Sequence, residues 1–143
     1  MVGEWLASWV PPWHPILVNF TAALIPASVL SDWLGRVLKK ESLTGAGWWM
    51  MLYAGIITPF TAVAGWWWME EMKAGDGKFG WQIEYHQWLG YLLAGVTVGL
   101  ALWRGWERRK KNEASWGYLI TATVVLAALI VQADLGGQMS FGE

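Results

Sequence analysis

Four apolar segments dominate the chain, at about Pro15 to Gly35, Gly47 to Met69, Tyr85 to Trp103 and Trp116 to Ala133. Each is near the ~20 residues that a helix needs to cross ~30 Å of hydrocarbon. Lipid offers no hydrogen bonds to the backbone, so a segment that crosses it must satisfy its own, and helices do so. The expected fold is therefore all-α, an integral membrane four-helix bundle. The composition agrees: 55% hydrophobic and 15% charged residues make the chain too apolar for an ordinary soluble domain. No long polar linker or second composition regime divides it, and residues 1–143 are expected to form one membrane domain.

The connectors between the segments orient the bundle. Arg36, Lys39 and Lys40 follow the first segment, and Arg104, Arg108, Arg109, Lys110 and Lys111 follow the third. The connector after the second holds only Lys73 and Lys78, diluted by Glu70, Glu71, Asp76 and Glu84. The positive-inside rule sends the first two groups to the cytoplasm and leaves both termini on the outer, periplasmic side. The fourteen tryptophans fit the same layout, since indoles collect at headgroup level. Trp5, Trp9, Trp13, Trp66, Trp67, Trp68, Trp81 and Trp88 fall near outer ends, and Trp33, Trp48, Trp49, Trp103, Trp106 and Trp116 near inner ones. Residues 1–12 carry Glu4 and no positive start, so they read as a short interfacial helix ended by Pro11 and Pro12, without a cleavable signal. The expected location is a bacterial inner membrane, crossed several times.

Two histidines gain meaning from this topology. His14 precedes the first crossing helix and His86 opens the third, so both belong to one membrane face at similar depth. Two neutral imidazoles facing each other across a bundle are what a six-coordinate haem iron requires. His14, Val18, Thr21, Ile25, Ser28 and Asp32 follow a 4-3-4-3-4 spacing along one helix face. His86, Gly90, Ala94, Thr97 and Ala101 form another, with small residues below the histidine that leave space for a flat macrocycle. Small residues serve equally for close packing of membrane helices, as Gly95 and Gly99 illustrate.

Each of these residues also has a plainer role. An interfacial histidine often only caps a helix or touches headgroups. Asp32, one turn before Arg36, reads as an interfacial salt bridge of small worth, with a proton relay as the minor alternative. Asp134, before Gly136 and Gly137, is either a second hydrogen-bond partner for a ligating imidazole or a solvated helix end. Pro59 is expected to kink the second segment. The run WERRKKNE reads as an orientation signal and a contact for cytoplasmic-leaflet lipid.

The stretches HPILVNFTAAL, EYHQWLG and ADLGGQMSFGE together resemble an uncharacterised bacterial family of small four-helix membrane proteins that opens with a His-Pro motif and closes with a Gly-Gly turn. The resemblance spans nearly the whole chain. That family is similar in layout to membrane cytochromes of the b type, which implies haem b with His14 and His86 as ligands. Many relatives carry a second histidine and then a proline where this chain has Asn19 and Thr21.

No Gly-rich phosphate loop, HExxH helix, GxSxG elbow or paired-carboxylate cleft occurs, and without cysteine there is no thiolate chemistry. Independent catalysis is not expected. The basic cluster lies between crossing helices and the net charge is −1, so nucleic-acid binding has no support. The leading expectation is a single-haem electron-transfer protein or subunit, its cofactor site formed by His14, His86, Gly90 and Asp134 with the two histidines on the metal. Its partners would be the bilayer and other membrane or periplasmic redox subunits. The alternatives are a structural or assembly subunit of a larger respiratory or photosynthetic complex, with no chemistry of its own but open to pigment or lipid, and a protein that binds a chlorophyll-type pigment through one histidine. A histidine opening each of two hairpins, with a basic turn after each, suggests a pseudo-twofold arrangement around one site.

Overall fold

A computed structural model describes the backbone of residues 2–74 and 81–141, and side chains from 13 to 71 and from 81 to 138. It contains four helices: α1 (Val2–Leu38), α2 (Glu41–Ala74), α3 (Trp81–Lys110) and α4 (Trp116–Phe141). All exceed the apolar segments that announced them. Three are long and apolar enough to cross a membrane, at Trp13–Leu38, Glu41–Glu71 and Trp116–Gln138. α3 does not qualify on composition, because it carries Gln82, Glu84, His86 and Gln87 at one end and five charges from Arg104 to Lys110 at the other.

α1 corrects one expectation. It runs unbroken through Pro11 and Pro12, which were to end a separate interfacial helix. The proline ring fixes φ near a helical value, and membrane helices tolerate the carbonyls that proline leaves without a donor. α2 likewise continues through Pro59. The side chains of Trp5 and Trp9, and the connector with Asp76 and Lys78, lie outside the described residues.

Neighbouring helices run antiparallel and close a ring in chain order, with α1 packed most extensively on α2 and least on α4. The α1–α2 turn is as short as a helical hairpin allows. Lys39 takes a φ of 52°, and the Lys40 N–H donates to the Gly35 carbonyl at 3.0 Å, the bond that closes a helix C-terminus in the Schellman manner. A Cβ on Gly35 would lie 2.8 Å from the Thr44 backbone nitrogen, so glycine is required where the two helices meet. At the start of α4, Ser115 caps the helix by accepting from the Tyr118 N–H at 3.1 Å.

The core is small and apolar, built from Ile25, Val29, Met51, Leu93, Leu100 and Leu119 with alanines between them. Polar residues are buried among them, while large aliphatic ones face outward. Arg104 is 0% exposed and Leu102, two residues earlier, is 71% exposed. That distribution suits a surrounding of lipid rather than water.

Candidate functional site

The helix periodicity places both sequence-derived faces inward. Thr21, Ile25, Ser28 and Asp32 of α1 are buried, as are Ala94, Thr97 and Ala101 of α3. Because α1 and α3 are parallel, the two faces align, with both histidines at one end of the bundle and Asp32 and Arg104 at the other. Two polar centres result.

At the first centre, His14 Nδ1–H donates to the Thr61 carbonyl of α2 at 3.0 Å. A carbonyl only accepts, so the bond fixes the proton on Nδ1 and leaves Nε2 with its lone pair in the neutral ring. The imidazole lies flush on Gly65, where a Cβ would come within 2.7 Å of Cε1, and the Trp68 ring stands 5.6 Å away. His86 is seated in the same way on Gly136 of α4, where a Cβ would lie 3.1 Å from its Cε1. The Gln132 amide donates to the His86 carbonyl at 2.8 Å and lies 3.5 Å from Nε2. His86 Nδ1 and Gln132 Oε1 are buried and have no hydrogen-bond partner among the described residues.

Gly90 also belongs to this centre, since a Cβ there would be 3.0 Å from the Gln132 amide nitrogen. Asp134 is exposed and accepts from Gln138 at 2.8 Å. The α4 side chain that reaches His86 is Gln132, which the sequence reading did not single out. Asn19, where relatives carry their second histidine, is exposed on α1.

The second centre replaces the exposed Asp32–Arg36 pair that helix spacing suggested. Asp32 bonds instead to Arg104 of α3, which donates from Nε to Oδ2 at 3.1 Å and from Nη2 to Oδ1 at 3.0 Å. Nη2 also donates to the Thr44 carbonyl at 3.1 Å, so the clamp joins α1, α2 and α3. Both side chains have no solvent exposure, and Arg104 Nη1 has no partner among the described residues. Gly47 makes room for the carboxylate, since a Cβ there would lie 2.5 Å from Oδ1. Nearby, Glu107 accepts from the Trp103 indole at 2.9 Å, from the Ser115 N–H at 3.0 Å and from the Ser115 hydroxyl. Arg36 serves the α4 end, donating to the Ala114 carbonyl at 2.6 Å, pairing with Glu113 at 3.4 Å and lying 4.5 Å from the Trp116 ring centre.

These contacts repeat along the chain. A step of 72 residues leads from His14 to His86, from Asp32 to Arg104 and from Arg36 to Arg108, and a step of 71 leads from Thr61 to Gln132 and from Gly65 to Gly136. The α1–α2 hairpin is thus echoed by α3–α4, with each histidine seated on the equivalent glycine of its own hairpin.

Comparison with known proteins bears on the class of molecule. Residues 10–143 match the family described as predicted membrane protein DUF2231. The chain belongs to this family. No curated protein and no solved structure matches it. Membership accounts for the apolar exterior and places the protein in a lipid bilayer. The family description names no cofactor or reaction, so the chemistry is argued from the residues.

Proposed function

We propose that this DUF2231 protein is a membrane haem protein that transfers electrons, in which His14 and His86 would hold one b-type haem. The observation that carries the reading is the histidine pair itself: parallel helices bring both imidazoles to one end, and each lies against a glycine 71 residues from its counterpart. The residues fit the group. His14 has Nδ1 anchored on a carbonyl and Nε2 available, the usual preparation of a ligating imidazole. His86 Nδ1 is buried without a partner among the described residues, a costly state that ligation or a bound group would relieve. Gly65 and Gly136 let each ring lie flush on the neighbouring helix of its hairpin, which fixes the plane of both imidazoles. When bound, haem iron carries one electron by alternating between its ferrous and ferric states. The protein's own residues orient the imidazoles, and the burial of the site would tune the potential of a bound group.

The same reading makes α3 the fourth crossing helix. Its polar Arg104 and Glu107 are buried, while Trp88, Leu92, Leu102 and Trp106 face outward, so its lipid-facing side is more apolar than its composition. With eight of ten basic residues in or beside the α1–α2 and α3–α4 turns, those turns lie in the cytoplasm and the histidines near the outer surface of a bacterial inner membrane. Partner redox subunits would meet the protein there.

The visible spectrum of protein purified after haem-replete expression, oxidised and dithionite-reduced, tests the proposal together with a pyridine haemochrome assay. A low-spin b-type spectrum is expected, lost in both His14→Ala and His86→Ala while membrane insertion persists. A colourless wild-type protein would refute it and favour the scaffold subunit. Loss in only one variant would point instead to a pigment held by a single imidazole.

A further inference from the structure

Away from the histidines, a groove of about 750 Å³ opens between α2 and α3 at the basic end of the bundle. Its apolar floor includes Leu52, Gly55, Val98 and Ala101, where a Cβ on Gly55 would lie 2.6 Å from that of Ala101. Trp48, Trp49 and Trp106 form its walls, and Arg108 and Arg109 stand at its mouth. The Arg108 guanidinium lies 5.4 Å from the Trp48 ring centre and 5.3 Å from that of Trp49.

Comparison of the hairpins shows what the groove lacks. Arg36, the counterpart of Arg108 one 72-residue step earlier, also stacks on a tryptophan, and its charge is met by the Glu113 carboxylate and the Ala114 carbonyl. Arg108 has the tryptophans, but its Nη1 is buried with no hydrogen-bond partner among the described residues. A buried guanidinium N–H without an acceptor is unfavourable, and its fork geometry matches a phosphate. The groove behind it is apolar and runs for about two helical turns, roughly 12 Å, from Trp48 to Ile56 on α2.

We propose that this groove is a binding site for one anionic phospholipid, its phosphate on Arg108 and Arg109 and an acyl chain along Leu52, Gly55, Val98 and Ala101. The bound anion supplies to Arg108 what Glu113 supplies to Arg36. This site is separate from the histidines and holds whether or not they bind haem.

The test is native mass spectrometry of the full chain released from nanodiscs of equimolar phosphatidylglycerol and phosphatidylcholine. One phosphatidylglycerol per chain is expected to survive release, and Arg108→Gln/Arg109→Gln should lose that adduct. Lys39→Gln/Lys40→Gln, which removes the same charge at the same end from exposed positions, should keep it. Phosphatidylglycerol with brominated chains should quench tryptophan fluorescence in the wild type, with weaker quenching in the Arg108→Gln/Arg109→Gln variant. Equal retention of the two lipids, or equal loss in both double variants, would overturn the proposal. So would a lipid-free dimer, which would assign the groove to a second copy of the chain.

Discussion

Replacing Asp32 by alanine should destabilise the bundle by about 3–5 kcal/mol, the cost of leaving one member of a buried ion pair unpaired. The geometry supports that size. Arg104 would lose two charge-assisted hydrogen bonds, each contributing roughly 1.5–3 kcal/mol, and keep only the Thr44 carbonyl. Its Nη1 already lacks a partner, so the described residues offer no substitute acceptor. The loss should exceed the ~0.6 kcal/mol typical of hydrogen bonds between membrane helices, because an uncompensated charge remains. Arg104→Met should cost about as much, by stranding the carboxylate. The double variant removes both charges and should cost no more than either single one, which gives a coupling of roughly 3–5 kcal/mol. Unfolding by sodium dodecyl sulfate in mixed micelles, followed by tryptophan fluorescence and circular dichroism, measures all four proteins. Single losses below ~1 kcal/mol, the range of an exposed pair, or strictly additive ones would refute the reasoning.

Gly65→Ala should push the His14 imidazole off α2, since the new Cβ would lie 2.7 Å from Cε1. Nitrogen-15 NMR of labelled histidine should then show loss of the Nδ1–H bond to Thr61, and an unchanged His14 signal would contradict the packing. Ser115→Ala should destabilise the protein by about 1–2 kcal/mol by removing the α4 cap and a hydrogen bond to Glu107. Hydrogen exchange at the Tyr118 amide should accelerate, and unaltered protection there would place the cap elsewhere.

The helix faces were legible in the sequence because the 3.6-residue period acts alike on every residue. His14 to Asp32 and His86 to Ala101 both point inward, as their spacing requires. Arg104 lies on the same progression, three residues after Ala101, yet it read as a connector charge because it opens a basic run. Asp32 was assigned to Arg36 for a similar reason: spacing within one helix is visible in a sequence, whereas a partner on a diagonal helix depends on packing. Gln132 escaped notice because an amide in an apolar run carries no signal until His86 is known to lie beside it. The unbroken passage of α1 through Pro11 and Pro12 was hidden because proline weakens a helix without forbidding one.

The Asp32–Arg104 clamp ties the hairpins together at one end, and at the other each histidine is hydrogen-bonded within its own hairpin. Such a molecule has a pivot at one end and its longest lever arm at the other. Roughly 27 Å of α3 separates Arg104 from His86 at ~1.5 Å per residue, so each degree of splay about the clamp parts the imidazoles by about half an ångström. A swing of a few degrees would widen the gap between them by a couple of ångströms with the ion pair intact. The clamp's mechanical consequence is thus a fixed base, with the histidine end the place where any splay of the hairpins is amplified most.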